Sequence, residues 1–186
     1  MNTRETIIET VGELLQTHSY EGFSFQDVAD TVGIRKASIY SHFKSKDEVV
    51  IETLNRWRAR LDMEFNAMAE LPPDEQLKNY FQWYKKLHHG AQRMCPGGSF
   101  AAIWSAVNPQ VKVAVEALGA VQVQWLAATL KTGRDTKVFE SNSHPAEAEA
   151  EYIFSALQGA LLYSRLSNNP RHFDNVEKHL SEQLGI

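Results

Sequence analysis

Cysteine, an excess of basic residues and any long apolar run are what this chain of 186 residues has least of, and each shortage closes off a class of protein. One cysteine, Cys95, cannot form an internal disulfide, which agrees with a reducing compartment. Lys and Arg number 19 against 23 Asp and Glu, a formal net charge of -4, so any nucleic-acid binding has to come from a local patch. No uninterrupted apolar run approaches the roughly 20 residues of a membrane span. The opening "MNTRETIIETVGELL" places charges among its apolar residues at helical spacing, unlike a secretory signal. A cytoplasmic chain with no membrane partner is therefore expected. Strand-like alternation, internal repeats and low-complexity tracts are missing too. So are a glycine-rich phosphate loop, a nucleophile elbow and a His/Glu metal pattern, so neither an enzyme nor a cofactor is expected.

What is present is helical periodicity, and the expected fold is all-α. Ile7, Val11, Leu14 and Leu15 share one face of a helix over 3–18. Ser24, three residues before Asp27, is a capping arrangement that opens a short helix at about 25–32, and Gly33 closes it. A second short helix follows at about 36–42. Ser45 and Glu48 repeat the capping arrangement before a long stripe, Val50, Leu54, Trp57, Leu61, Phe65 and Met68, which "LPPDE" ends. Further helices are expected at about 75–90, 98–107, 110–131, 145–168 and over the stripe Phe173, Val176, Leu180 and Leu184. The segment 110–131 is apolar on most sides, which marks a central helix, whereas "KTGRDTKVFESNS" has no clear period and is expected as a polar loop.

The two short helices carry the functional content. In a helix-turn-helix, a small residue sits where the helices touch, a glycine makes the turn and an apolar residue of the second helix locks the angle. Ala29, Gly33 and Ile39 have that spacing, with Val28, Val32 and Ile34 filling the remaining inward positions. Arg35, Lys36, Ser38, Tyr40 and His42 are left pointing outward, and Lys44 and Lys46 follow, in a stretch "VGIRKASIYSHFKSK" that holds no acid. Such groups bond phosphates, and Arg or Lys can read guanine edges in the major groove. A solvated charged face on an ordinary helical hairpin is the competing reading of the same spacing.

"GFSFQDVADTVGIRKASIYSHFKSKDEVV" resembles the N-terminal DNA-binding segment of TetR-family transcriptional regulators. The resemblance rests on the glycine and aromatic before a capped helix, on Val28, Ala29 and Gly33, on Ser38-Ile39-Tyr40, on His42-Phe43 and on Ser45-Lys46-Asp47-Glu48, and it spans about residues 3–55. It implies a helix-turn-helix domain over 1–46 and a larger effector-binding and dimerisation domain over 47–186. It implies a homodimer that inserts its third helices into successive major grooves of a near-palindromic operator. Lys36, Ala37, Ser38 and Tyr40 would then line the groove beside Arg35, with Ser24, Tyr40, His42 and Lys46 on phosphates. Arg35 stands where a small hydroxyl residue is frequent in the family.

The resemblance also implies two further sites. Ser155, Ala156, Gly159 and Ala160 are small and lie beside Tyr163, a face suited either to the four-helix dimer interface of the family or to packing inside one subunit. An effector cavity lined by Phe65, Tyr84, His88, Trp104, Trp125 and Phe154, for an apolar or aromatic small molecule, competes with a plain aromatic core. Cys95, beside Arg93 and before an apolar helix, suits either an electrophile or oxidant sensor or an unreactive thiol in a turn. His88 and His89 are adjacent and point to different sides of a helix, so no metal site is expected. The alternative to a DNA-binding repressor is an all-α ligand carrier or interaction dimer that has lost its operator.

Overall fold

The computed structural model describes residues 2–89, 93–140 and 144–186. Among them are nine α-helices and no strand: α1 (Thr3–His18), α2 (Phe25–Val32), α3 (Lys36–Tyr40), α4 (Lys46–Ala67), α5 (Pro73–His89), α6 (Pro96–Ala101), α7 (Pro109–Asp135), α8 (Ala146–Ser167) and α9 (Arg171–Leu184). A 3-10 turn at Trp104–Ala106 separates α6 from α7. The all-α expectation therefore holds. The chain divides into two compact units, residues 1–60 with 94–118 and residues 61–93 with 119–186.

In the first unit, Ile7, Val11 and Leu15 of α1 are wholly buried, as are Val28 and Ala29 of α2, Ile39 of α3, and Val49, Val50 and Leu54 of α4. α2 packs on α1 and α3, and α6 on α1. The Met94 amide donates to the Gln16 carbonyl at 2.9 Å, and the Tyr20 and Phe100 rings lie 5.4 Å apart, so the segment before α7 is stitched to the end of α1. Arg4 reaches Glu52 at 3.2 Å and stacks its guanidinium 4.9 Å from the Phe43 ring centroid.

The second unit is built around aromatics. Leu77, Tyr80, Phe81 and Tyr84 of α5, Leu126 and Leu130 of α7, Ile153, Leu157 and Leu161 of α8, and Phe173 and Leu180 of α9 are buried. α8 and α9 form a hairpin. Asn168 adopts a left-handed conformation (φ 49°, ψ 37°), the Asn169 amide donates to the Ser164 carbonyl at 3.0 Å, and the Phe173 amide donates to Ser164 Oγ at 3.0 Å.

α7 runs to Asp135, four residues beyond the expected 131, into the stretch expected as a polar loop. The reason is Phe139: it is buried, and the chain folds back so that the Val138 and Phe139 amides both donate to the Gly133 carbonyl. A Cβ at Gly133 would stand 2.2 Å from the Phe139 ring, so only glycine admits this approach. Arg134 and Glu149, both largely buried, form an ion pair, and Arg134 also donates to the His144 carbonyl. By length and composition α7 is apolar enough to cross a bilayer. Its buried side chains include Gln122 and Thr129, both hydrogen-bonded within the protein, which suits a core helix.

Candidate nucleic-acid interface

α2 starts where its sequence dictates. Ser24 Oγ accepts from the Gln26 amide at 3.2 Å, and Asp27 Oδ2 accepts from the Ser24 amide and Ser24 Oγ, each at 2.7 Å. The Ser24 hydroxyl, followed by its amide, holds the Asp27 carboxyl below its ordinary pKa. Gly33 ends the helix with φ 76° and ψ 33°, its amide donating to the Ala29 carbonyl at 2.9 Å, and the Ile34 amide joins it at 3.0 Å. That left-handed geometry costs any residue with a Cβ about 1 kcal/mol.

Five residues cannot sustain a helix in water by themselves, so α3 depends on its anchor. Ile39 has no exposed surface and lies in the same core as Ala29, while Tyr40 packs edge-on against Phe25 with ring centroids 5.2 Å apart. Burying one such side chain contributes about 2 kcal/mol. With the inward position occupied by Ile39, Arg35, Lys36 and Ala37 are exposed, Ser38 is half-buried and Tyr40 keeps 52 % of its surface in solvent. The helix ends at Tyr40 rather than 42, and His42 is half-buried in the turn that follows, its amide donating to the Ile39 carbonyl at 2.9 Å.

The start of α4 sorts its two lysines differently. Lys44 is exposed, and its amide donates to Glu48 Oε2 at 2.7 Å while the Glu48 amide donates to Ser45 Oγ at 3.2 Å. Lys46 turns its ammonium onto the carbonyls of Tyr20 and Phe23, 4.6 Å and 4.1 Å from the centroids of their rings. Burial lowers its pKa. Tyr20 in turn donates to Asp47, and burial, followed by that carboxylate, pushes the phenol pKa upward. Sequence assigns no site role to Tyr20 or Asp47; Asp47 stands out only within the stretch Ser45-Lys46-Asp47-Glu48.

The other candidates fall in separate places. Phe65 stacks on Trp125 with centroids 4.3 Å apart and planes at 8°, and Tyr80 lies 5.2 Å from Trp125 and 5.0 Å from Tyr84. Tyr84 Oη donates to Gln122 Oε1 at 2.9 Å and accepts from Gln158 Nε2 at 2.9 Å; Tyr80 Oη also donates to Gln122, at 3.2 Å. Phe154 of α8 packs over Gly119 of α7. Phe65, Tyr84, Trp125 and Phe154 thus all belong to the second unit, whereas Trp104 belongs to the first, with the Lys112 ammonium 5.5 Å from its ring. The His88 side chain lies outside the described residues. Gln122 was hidden among apolar residues; its spacing of four from Leu118 and Leu126, both buried, is the signal that places an amide inside.

A groove of about 530 Å³ runs between α8 and α9, lined by Tyr152, Ala156, Gly159, Ala160 and Tyr163 on one side and His172, Asn175, Val176, His179 and Leu180 on the other. Ala156, Gly159, Ala160 and Tyr163 of the expected dimer face line it, and Ser155 is exposed beside it. Tyr152, Leu162, Tyr163 and Leu166 of α8 are large and exposed. Cys95 is half-buried at the position that precedes the first turn of α6.

A family model described as "Bacterial regulatory proteins, tetR family" matches residues 7–53. Along most of its length the chain is similar to the HTH-type transcriptional repressor DhaR of Mycobacterium sp. (strain GP1), at 22% identity over 97% of this chain and 91% of that one. It is similar as well to the HTH-type transcriptional repressor NemR of Escherichia coli (strain K12), at 18% identity over 96% and 92%. Among solved structures, a TetR-family transcriptional regulator from Agrobacterium tumefaciens superposes with a TM-score of 0.91 at 24% identity, over 98% of this chain and 97% of that one. Reduced NemR from E. coli does so with a TM-score of 0.85 at 19% identity, over 99% and 98%.

Proposed function

The chain belongs to the TetR family of helix-turn-helix transcriptional regulators, and from that premise we propose that it is a cytoplasmic, homodimeric repressor. It grips a near-palindromic operator through α3 and leaves it when an apolar or aromatic effector enters the C-terminal domain. The observation that carries this reading is the exposed face of α3: Arg35, Lys36, Ala37 and Tyr40 stand in solvent around one buried anchor, Ile39. In this reading residues 1–46 are the DNA-binding domain and 47–186 the sensing and dimerising domain, and the protein acts by binding rather than by chemistry.

Lys36, Ala37 and Ser38 face base edges with Arg35 beside them, while Ser24, Tyr40, His42 and Lys44 fix the helix against phosphates. Lys46, whose ammonium already serves two carbonyls, contributes mainly by shaping the turn. The two α3 helices of a dimer must lie about 34 Å apart to enter successive major grooves. The exposed side of α8 and the groove beside it supply the dimer contact. The neutral, polar-lined aromatic cluster of Phe65, Tyr84, Trp125 and Gln122 supports an uncharged effector.

Fluorescence anisotropy on a fragment of the protein's own promoter tests the operator reading. Lys36→Ala and Tyr40→Ala are expected to weaken binding about tenfold each, and the lysine change is expected to flatten the dependence of log K on log salt by about 1 per subunit. Unchanged affinity in both variants refutes the assignment. A second reading, in which Cys95 is the sensor, is favoured by the packing of α6 on α1: the Met94 amide is bonded to Gln16, so an adduct on the neighbouring residue strains the DNA-binding unit directly. N-ethylmaleimide that lowers operator affinity of the native protein but not of Cys95→Ser selects that reading.

A further inference from the structure

Tyr20, in the turn between α1 and α2, touches two other elements of its own compact unit, α4 and α6. Its ring meets that of Phe100 in α6 and lies beneath the Lys46 ammonium, and its hydroxyl donates to Asp47 Oδ1 in the first turn of α4. The second oxygen of the same carboxylate, Oδ2, accepts from Asn108 Nδ2 at 3.0 Å. Asn108 immediately precedes α7, and its own Oδ1 accepts from the Gln110 amide at 2.9 Å, which determines that the NH2 end of the amide faces Asp47. One carboxylate is thus shared by donors 27 residues before it and 61 residues after it. It stands shortly after α3 in the chain, and α7 continues from this point as one helix to Asp135.

We propose that Asp47 is a positioning residue for operator binding: held at once by Tyr20 and Asn108, it fixes the start of α4, and with it α3, to the start of α7. A shift of the first turn of α7 is then delivered to the recognition helix through one carboxylate. When Asn108 lets go, α4 and α3 sample orientations that do not fit the groove, and operator affinity falls. This rests on α3 being the operator-reading element.

A reciprocal exchange tests it. Asn108→Asp retains an oxygen to cap the Gln110 amide but replaces the donor to Asp47 Oδ2 with a second carboxylate. On an operator duplex selected from random-sequence DNA, the dissociation constant is expected to rise about fivefold, the scale of two like charges about 4 Å apart when water screens them fully, as at this exposed contact. Adding Asp47→Asn re-forms the pair with donor and acceptor exchanged. The amide introduced at position 47 keeps an oxygen for Tyr20 and offers its NH2 to the carboxylate at position 108. The double variant is expected to bind within about twofold of wild type, a coupling that independent sites do not show.

Thermal unfolding without DNA accompanies each measurement. Should Asn108→Asp lower the unfolding midpoint, Tyr20→Phe carries the test, because it keeps the ring packing and loses only the hydroxyl; its expected effect is about threefold weaker binding. Native or tighter binding by Asn108→Asp, a double variant as weak as the single, or native binding by Tyr20→Phe overturns the proposal. Lys36→Ala on the same duplex separates the two readings: if it binds like wild type, the assignment of α3 fails, while the exchange still reports on Asp47.

Discussion

α3 and α8 both leave large side chains in solvent, yet they do so with opposite chemistry. α3 exposes Arg35, Lys36 and the hydroxyl-tipped Tyr40 around a single buried isoleucine. α8 exposes Tyr152, Leu162, Tyr163 and Leu166, three of them within five residues, beside an open groove against α9. A cationic, hydrogen-bonding surface gains its affinity from a polyanion and its released counterions. An apolar surface gains from being taken out of water, and salt does not screen that gain. On the proposed reading the two surfaces therefore make contacts that respond to different conditions.

The largest test of that difference is ionic strength. With Arg35, Lys36 and Lys44 counted in both subunits, raising salt from about 50 to 200 mM should weaken operator binding by about 10³-fold. Sedimentation over the same range should find the dimer unchanged; a dimer that dissociates with salt would erase the distinction. Next in size is Leu166→Glu, at a residue 74 % exposed and hence tolerated by the isolated fold. It should weaken self-association by about 100-fold, seen as a monomer by light scattering, while the unfolding midpoint of the monomer holds. The smallest effect belongs to Gly33→Ala, where nothing lies within 4 Å of the new methyl and only the left-handed φ of 76° is strained. Thermal denaturation should register a loss of about 1 kcal/mol.

The helix-turn-helix was readable in the sequence because its determinants are local. Ser24 and Asp27 are three residues apart, Gly33 is one step beyond the helix it ends, and Ile39 lies ten residues from Ala29, so capping, turn and helical-hairpin spacing all fall within one short stretch. What could not be read depends on partners far along the chain. Lys46 looks like any exposed lysine until the carbonyls of Tyr20 and Phe23, more than 20 residues away, are brought over it. Gln122 reaches Tyr80 and Tyr84 across about 40 residues. Phe139 reads as part of a polar loop because the one residue that admits it, Gly133, is identified by a close approach and not by pattern. The packing of α6 and the residues just before it on α1 and the turn that follows is likewise a tertiary fact, set by Met94 on Gln16 and Phe100 on Tyr20.

Because Ile39 is the one residue of α3 that is fully buried, the residues that hold this helix differ from those proposed to read DNA. Substitutions at positions 36 or 37 change what the helix presents to solvent while leaving the Ile39 anchor and the Gly33 turn in place. On the proposed reading, a lineage carrying this scaffold moves from one operator to another by single steps that leave the fold intact.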